Sequence, residues 1–179
     1  MVTSRQTQTK QKIKEALTQL LKQAPFEEVS VTAICRQAKI NRGTFYLHYL
    51  DKYDLMDKLK EDTLGHIYDI LTEETNQLSK AVIHDILWDI YDDFEFISVL
   101  SRTPYVKFSE SIHHFIASIL HLNPKIEKQI TLFFGIPKEY ALAAYIASLE
   151  AVISRWIANG GKESPDQMTE IIYQVSALE

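Results

Sequence analysis

The sequence predicts an all-α protein of about nine helices, and three observations carry that reading. All five prolines, Pro25, Pro104, Pro124, Pro137 and Pro165, stand where an amphipathic pattern begins or ends. Strand-like alternation is hard to find, and the Asn-Gly pair at 159–160 is not set between alternating segments as a hairpin turn would be. The chain is 46% hydrophobic and 24% charged, enough apolar material for a real core, with no internal repeat or low-complexity stretch. Its 179 residues suit one domain, or a small module fused to a larger one.

Taken in order, Ile13, Leu17, Leu20, Leu21 and Ala24 form the first helical stripe, which stops at Pro25. Ser30 suits the N-cap of a second helix, with Val29 placed to staple against Ile34. Asn41 repeats the device, with Ile40 placed against Phe45. Two short helices, about 31–38 and 42–49, are thus joined by a turn of about three residues, which is helix-turn-helix spacing. A long helix of about residues 52–74 follows, with Leu55, Leu59, Ile67 and Leu71 near one face. Gly65 near its middle permits close packing or a local bend. Near the other end, "NGGKESPDQMTEII" reads as a stop and a start. Gly160 or Gly161 takes a left-handed cap, Ser164 the N-cap, Pro165 the first helical position and Gln167 the closing half of a capping box. The last two helices span about 137–159 and 165–177.

The window "INRGTFYLHYLDKYDL" concentrates four rings among basic residues. At about 100° per residue, Phe45 and Tyr49 share a face that packs on Ile34 and Ala38. Gly43, Thr44, Leu47 and His48 spread over the opposite face, with Tyr46 on its shoulder. That face offers a close backbone approach, small donors, flat hydrogen-bonding rings and one apolar contact suited to a thymine methyl. Lys52 opens the next helix, where free N–H groups favour phosphate. Charge agrees: residues 1–52 hold nine Lys/Arg against four Asp/Glu, while the remainder is acidic enough to bring the net charge to −5. A basic first third suits a polyanion.

The segment "FEEVSVTAICRQAKINRGTFYLHYLDKYDLMDKL" resembles the N-terminal DNA-binding domain of the TetR/AcrR family of transcriptional regulators. The resemblance covers roughly residues 10–60, and "RGTFYLHY" followed by "DKYDL" is its most specific part. It implies three N-terminal helices for DNA, residues 1–51, and a divergent helical domain for ligand and dimerisation, residues 52–179. It puts the DNA contacts on Ser30, Thr32, Arg42, Gly43, Thr44, Tyr46, Leu47, His48 and Lys52. It implies a homodimer on a palindromic, double-stranded DNA operator and a small-molecule effector, with repression as the commoner outcome. An activator, or a DNA-bound adaptor controlled by a partner protein, is the alternative. Lys39 stands in the turn where the family usually has glycine.

For the ligand, the candidates are the aromatic residues Trp88, Tyr91, Phe94 and Phe108, with His113. The run "WDIYDDFEF" reads either as a pocket wall for a cationic ligand or as a solvated face alternating with core rings. For the dimer, Ala143, Ala144, Ala147, Ser148, Ala151 and Val152 make rows of small residues, matched by Met168, Ile171, Ile172 and Val175 on the last helix. These stripes could instead face the protein's own core. His113, His114 and His121 lack a carboxylate or cysteine at ligand spacing, so no metal is expected, and no cofactor. Cys35 is alone and reads as a buried apolar residue. The sequence lacks a Gly-rich phosphate loop, a G-x-S-x-G elbow and an H-E-x-x-H pair, which leaves little for an enzyme. No continuous apolar run of about 18 residues predicts a membrane span, and the polar start does not read as a signal peptide. A cytoplasmic protein is expected.

Overall fold

The computed structural model describes residues 2–73 and 79–176. Among them the chain forms ten α-helices and two single turns of 3-10 helix, with no strand. The helices are α1 (Val2–Leu21), α2 (Val31–Gln37), α3 (Arg42–Tyr46), α4 (Lys52–Glu73), α5 (Lys80–Asp92), α6 (Phe94–Ser101), α7 (Phe108–His121), α8 (Pro124–Phe134), α9 (Lys138–Ala158) and α10 (Pro165–Ser176). The 3-10 turns are Phe26–Glu28 and Pro104–Val106. Residues 74 and 177, expected as the ends of their helices, lie outside the described residues.

The capping chemistry read from the sequence is present. The Ser30 hydroxyl accepts from Ala33 N, and the Asn41 side chain accepts from Thr44 N at 2.7 Å. Ser164 and Gln167 close a reciprocal capping box at the start of α10 (2.9 and 3.3 Å). Gly160 and Gly161 both take positive φ. At Gly161 a side chain would also collide with the Phe94 ring, 2.7 Å from where its Cβ would stand. The break between α5 and α6 falls at Asp93, where neither proline nor glycine announces it.

Two apolar cores organise the packing. The first joins Ile13 and Leu17 of α1, Phe26, Ile34, Phe45, Tyr49 and the first half of α4 through Leu59. It also takes Phe96, Val99, Leu100 and Val106, so α6 and the following turn form a seat for the N-terminal helices. Ion pairs Lys14–Asp93 and Lys22–Glu95 line the edge of that seat. The second core joins the far half of α4 to α5, α7, α8, α9 and α10 around Ile130, Ala141, Trp156 and Ile157. Ile67 belongs to this second core, so α4 is anchored in both. Its 22 residues reach about 33 Å.

α9 is long and apolar enough to pass for a membrane span, with a mean hydropathy of 1.4. Its inner face, including Ala141, Tyr145, Leu149 and Trp156, belongs to the second core, and its outer face is alanine-rich. A helix apolar on both faces reaches that hydropathy although Lys138, Glu139, Glu150 and Arg155 interrupt it.

Candidate nucleic-acid interface

The interface is built by pinning one side of a short helix and leaving the other bare. Phe45 and Tyr49 are fully packed in the first core, edge-on to Tyr46 and against one another. Their burial raises the Tyr49 hydroxyl to about 12, through desolvation first and Asp62 and Asp54 after it. The opposite side carries Leu47, 82% exposed, and Tyr46, 47% exposed. An isolated apolar residue on a surface is ordinary, but here it stands among hydrogen-bonding groups on one face. α3 itself is shorter than the expected 42–49, ending at Tyr46. The backbone nevertheless stays coiled, since His48 N and Tyr49 N both donate to Phe45 O (3.0 and 3.1 Å).

Arg42 ties this face together. Its guanidinium donates to the Tyr46 hydroxyl at 3.1 Å and to the Thr32 hydroxyl of α2 at 3.4 Å. That link joins three of the expected contact residues across both helices. Gly43 and Asn41 are exposed at the start of α3, Thr44 is half-buried, and Ser30 and Thr32 are exposed on α2. Eight of the nine expected DNA-contact residues are therefore exposed or half-buried on α2, α3 and their flanks.

Lys52 is the exception. Its ammonium donates to Phe26 O at 2.9 Å and Glu27 O at 2.8 Å, and lies 4.9 Å from the Phe26 ring centre. Two of its three protons are thus committed to clamping the 3-10 turn. The expectation that the α4 N-terminus offers free N–H groups to phosphate also fails. The Asp51 carboxylate accepts from Tyr53 N and Asp54 N, both at 2.8 Å, and Asp54 accepts from Leu50 N. The Leu50 N–H and the Lys58 ammonium hold the Asp54 carboxyl below its ordinary value. Sequence reading also passed over Leu50, 79% exposed beside Leu47. The only signal for it was an apolar residue in "HYLDK" outside every stripe.

Lys39 occupies the turn between α2 and α3 with φ 55°. Ile40 N donates to Cys35 O and Lys39 N to Arg36 O, the two bonds of a Schellman cap. Cys35 beneath it is buried, which pushes its thiol above the ordinary value.

In the C-terminal part, α4, α5, α7 and α9 enclose an apolar cavity of 170 Å³. Its wall includes Phe108 but excludes Trp88, Tyr91, Phe94 and His113 from the expected ligand set. On α5 the inward positions are Ile83, Ile86, Leu87 and Ile90, which turns Trp88 and Tyr91 to the flank. There Tyr91 and Phe94 pack on Trp156, at ring distances of 6.4 and 5.6 Å, and brace the Gly160–Gly161 turn. His113 is exposed. Of the four carboxylates of the same run, Asp93 and Glu95 form ion pairs with α1 and Asp89 lies 2.9 Å from His66 Nδ1.

On the outer side of α9, Ala143, Ala144, Ala147 and Ala151 are exposed, with Ser148 and Val152 half-buried beside them. Ile171 and Val175 of α10 are exposed as well. Met168 and Ile172 are not: both are buried in the second core, one helical turn inward. They leave the expected dimer face, which is narrower than the sequence suggested.

A family model for "Bacterial regulatory proteins, tetR family" matches residues 13–59, the stretch from α1 to the first turns of α4. YxbF, an HTH-type transcriptional regulator of Bacillus subtilis (strain 168), is 24% identical over 174 residues. That alignment takes in 91% of this chain but only 43% of YxbF, so the chain spans about two fifths of its relative's length. Among solved structures, the fatty acid degradation regulator FadR from Bacillus halodurans superposes with a TM-score of 0.67 at 15% identity, covering 94% of each chain. A TetR transcriptional regulator from Streptococcus agalactiae 2603V gives 0.63 at 22% identity over 98% of each. Helix order, the capped helix-turn-helix and the bare face of α3 agree with the motif match, and residues 13–59 form a domain of the tetR family of bacterial regulatory proteins.

Proposed function

We propose that the protein is a sequence-specific DNA-binding transcriptional regulator, acting in the cytoplasm as a homodimer on a palindromic operator. The observation that carries this reading is the bare face of α3: Leu47 and Tyr46 stand out to solvent while Phe45 and Tyr49 lock the helix from behind. A surface with that mixture fits a major groove, where apolar contacts read thymine methyls and side-chain donors read base edges. Residues 1–51 read DNA, with Ser30, Thr32, Arg42, Gly43, Thr44, Tyr46, Leu47 and His48 at the surface. Residues 52–179 regulate and dimerise. The exposed small-residue face of α9, with Ile171 and Val175, meets its copy across a two-fold axis. The cavity of the second core receives the effector, and its occupation relieves repression.

The test is selection of DNA from a random duplex library by the purified protein, followed by affinity measurement on the recovered sequence. An inverted repeat with half-sites about one helical turn apart is expected. Tyr46→Ala should weaken binding to it by roughly 1–3 kcal/mol while leaving non-specific binding nearly unchanged. Recovery of no preferred sequence by a folded protein would overturn the proposal.

A further inference from the structure

We propose that the cavity between α4, α5, α7 and α9 is a site for a medium-chain monocarboxylate, its tail among the aliphatic side chains and its head at Lys60. The inference rests on the preceding reading only for its consequence on DNA, not for the binding itself. Leu, Ile, Val and Phe side chains dominate the wall. Four lining residues carry polar groups, Lys60 and Thr63 of α4, Ser111 of α7 and Tyr145, but they face the cavity almost wholly with carbon, and Lys60 is the one charged residue among them.

Lys60 and Thr63 are neighbours, three residues apart on α4. The Pro104–Val106 turn packs on α4 and leads directly into α7. Tyr105 fastens that junction by donating to Asp57 at 3.0 Å, one helical turn before Lys60. Ser111 lies in the first turns of the helix that this junction starts. Farther along α4 the lining residues Leu64, Ile67 and Leu71 are all aliphatic.

The polar groups differ in what they can still do. Thr63 and Ser111 donate their protons to their own backbone, at Leu59 O and Val106 O, and offer a ligand only lone pairs. Tyr145 donates to Ser176 O. The Lys60 ammonium has its carboxylate neighbour Asp57 at 3.8 Å, beyond hydrogen-bond length, and its side chain keeps about a third of its exposure (30%). It can turn to an anion without breaking a bond. A ligand that satisfies this wall needs a long apolar part and one acceptor-rich anionic end. An amine would meet the ammonium, and a dianion would bring a second charge into an aliphatic chamber.

Size limits the tail. An apolar cavity of about 150 Å³ holds benzene, so 170 Å³ holds roughly six to eight carbons.

The experiment is calorimetric titration of the purified protein with octanoate, octylamine, 1-octanol and propionate. Octanoate should bind once per protomer with a negative heat-capacity change, and propionate should not bind. Lys60→Met should weaken octanoate by about tenfold or more while shifting 1-octanol by less than about twofold. Ile116→Trp, which fills the chamber, should abolish both. Should that variant fail to fold, the Lys60→Met comparison between octanoate and 1-octanol still decides. Octylamine binding as tightly as octanoate, an octanoate affinity untouched by Lys60→Met, or no octanoate binding up to about 1 mM would each overturn the assignment. A protein that binds octanoate in this way yet selects no DNA would uphold the site and overturn the regulator reading instead.

Discussion

Lys52, the first residue of α4, donates to the carbonyl of Phe26 at 2.9 Å, across a gap of 26 residues in sequence. With the second bond to Glu27 O, it fastens the turn after α1 to the helix that follows the DNA-reading unit. Lys52→Met keeps the aliphatic stem and deletes both bonds, leaving two carbonyls short of a donor. A cost of about 1–2 kcal/mol is expected, because each bond to a charged group is worth that order and the site is only part-buried. Urea unfolding measures it. DNA affinity should change chiefly through that loss, and a variant of native stability with a lower salt dependence of binding would instead restore Lys52 as a phosphate contact.

Lys39 should be one of the places where the fold improves on substitution. Its φ of 55° puts a side chain in a region where glycine carries no steric penalty. Lys39→Gly should raise stability by about 1 kcal/mol, less the entropy glycine gives back to the unfolded chain. The Schellman bonds from Ile40 and Lys39 are backbone bonds and survive the change. A drop in the urea midpoint would show that Lys39 does something besides turn the chain.

Local signals were readable in the sequence and long-range ones were not. Ser30, Asn41, Ser164 and Gln167 act on N–H groups three residues away, so their roles follow from short spacing alone. Phe45 and Tyr49 could be assigned inward because a helical face is a local property. Lys52 could not: its partners lie 25 and 26 residues away, and nothing in "LDKYDL" points to them. The ligand-site rings failed for a related reason. Trp88, Tyr91 and Phe94 are conspicuous in sequence, yet Tyr91 and Phe94 pack on Trp156, Trp88 packs on His84 and Tyr91, and plain isoleucines line the cavity.

The proposed dimer makes a sharp demand on Ala147. It is exposed on α9, between Ala143 and Ala151 on the same face. Ala147→Glu would place a carboxylate, and its symmetry mate, in the centre of a close-packed interface. An unpaired charge there should cost roughly 3 kcal/mol or more of association and leave the protomer folded. Sedimentation should report a monomer at micromolar concentration with unaltered helical circular dichroism. A variant that remains dimeric would place the interface elsewhere.

His84 carries a pH dependence. Nδ1 lies 3.1 Å from Asp85 and Nε2 3.1 Å from Asp166, which joins α5 to the start of α10. Its pKa is raised from 6.5, chiefly by the Asp85 hydrogen bond, which desolvation opposes and Asp166 reinforces. The Trp88 indole N–H donates to the same Nε2 at 3.0 Å, which only the neutral ring accepts. Protonation therefore exchanges Trp88 for Asp166. A folded-state pKa above the unfolded one means stabilisation that is full below about pH 6.5 and lost as pH rises through the folded value. The melting temperature of the wild type should exceed that of His84→Gln at pH 5.5, and the gap should close by pH 8.5. A gap independent of pH would leave His84 as packing only.

The control we propose would turn on α4, anchored by Leu55, Met56 and Leu59 in the first core and by Ile67 in the second, where it also forms cavity wall. A ligand that enters between α4 and α7 pushes on the far half, and a helix of about 33 Å converts a small tilt there into a displacement at α3. Gly65 does not oppose this, since a side chain on it would meet nothing within 4 Å and the position is exposed. It is a helix glycine without a packing duty, so Gly65→Ala should add up to about 1 kcal/mol of stability and leave the lever intact. In a dimer both α3 helices must stand about one DNA turn apart, so equal tilts in two subunits change their separation and release the operator. Each 1.4 kcal/mol by which a ligand prefers the tilted state shifts the balance about tenfold. Spin labels on Leu47→Cys, an exposed site, report that separation directly, while native Cys35 is buried. A cavity-binding molecule that lowers DNA affinity should shift or broaden the distance between labels by several ångströms. If DNA is released while that distribution stays as it was, α4 does not carry the signal, and the seat formed by α6 becomes the next element to label.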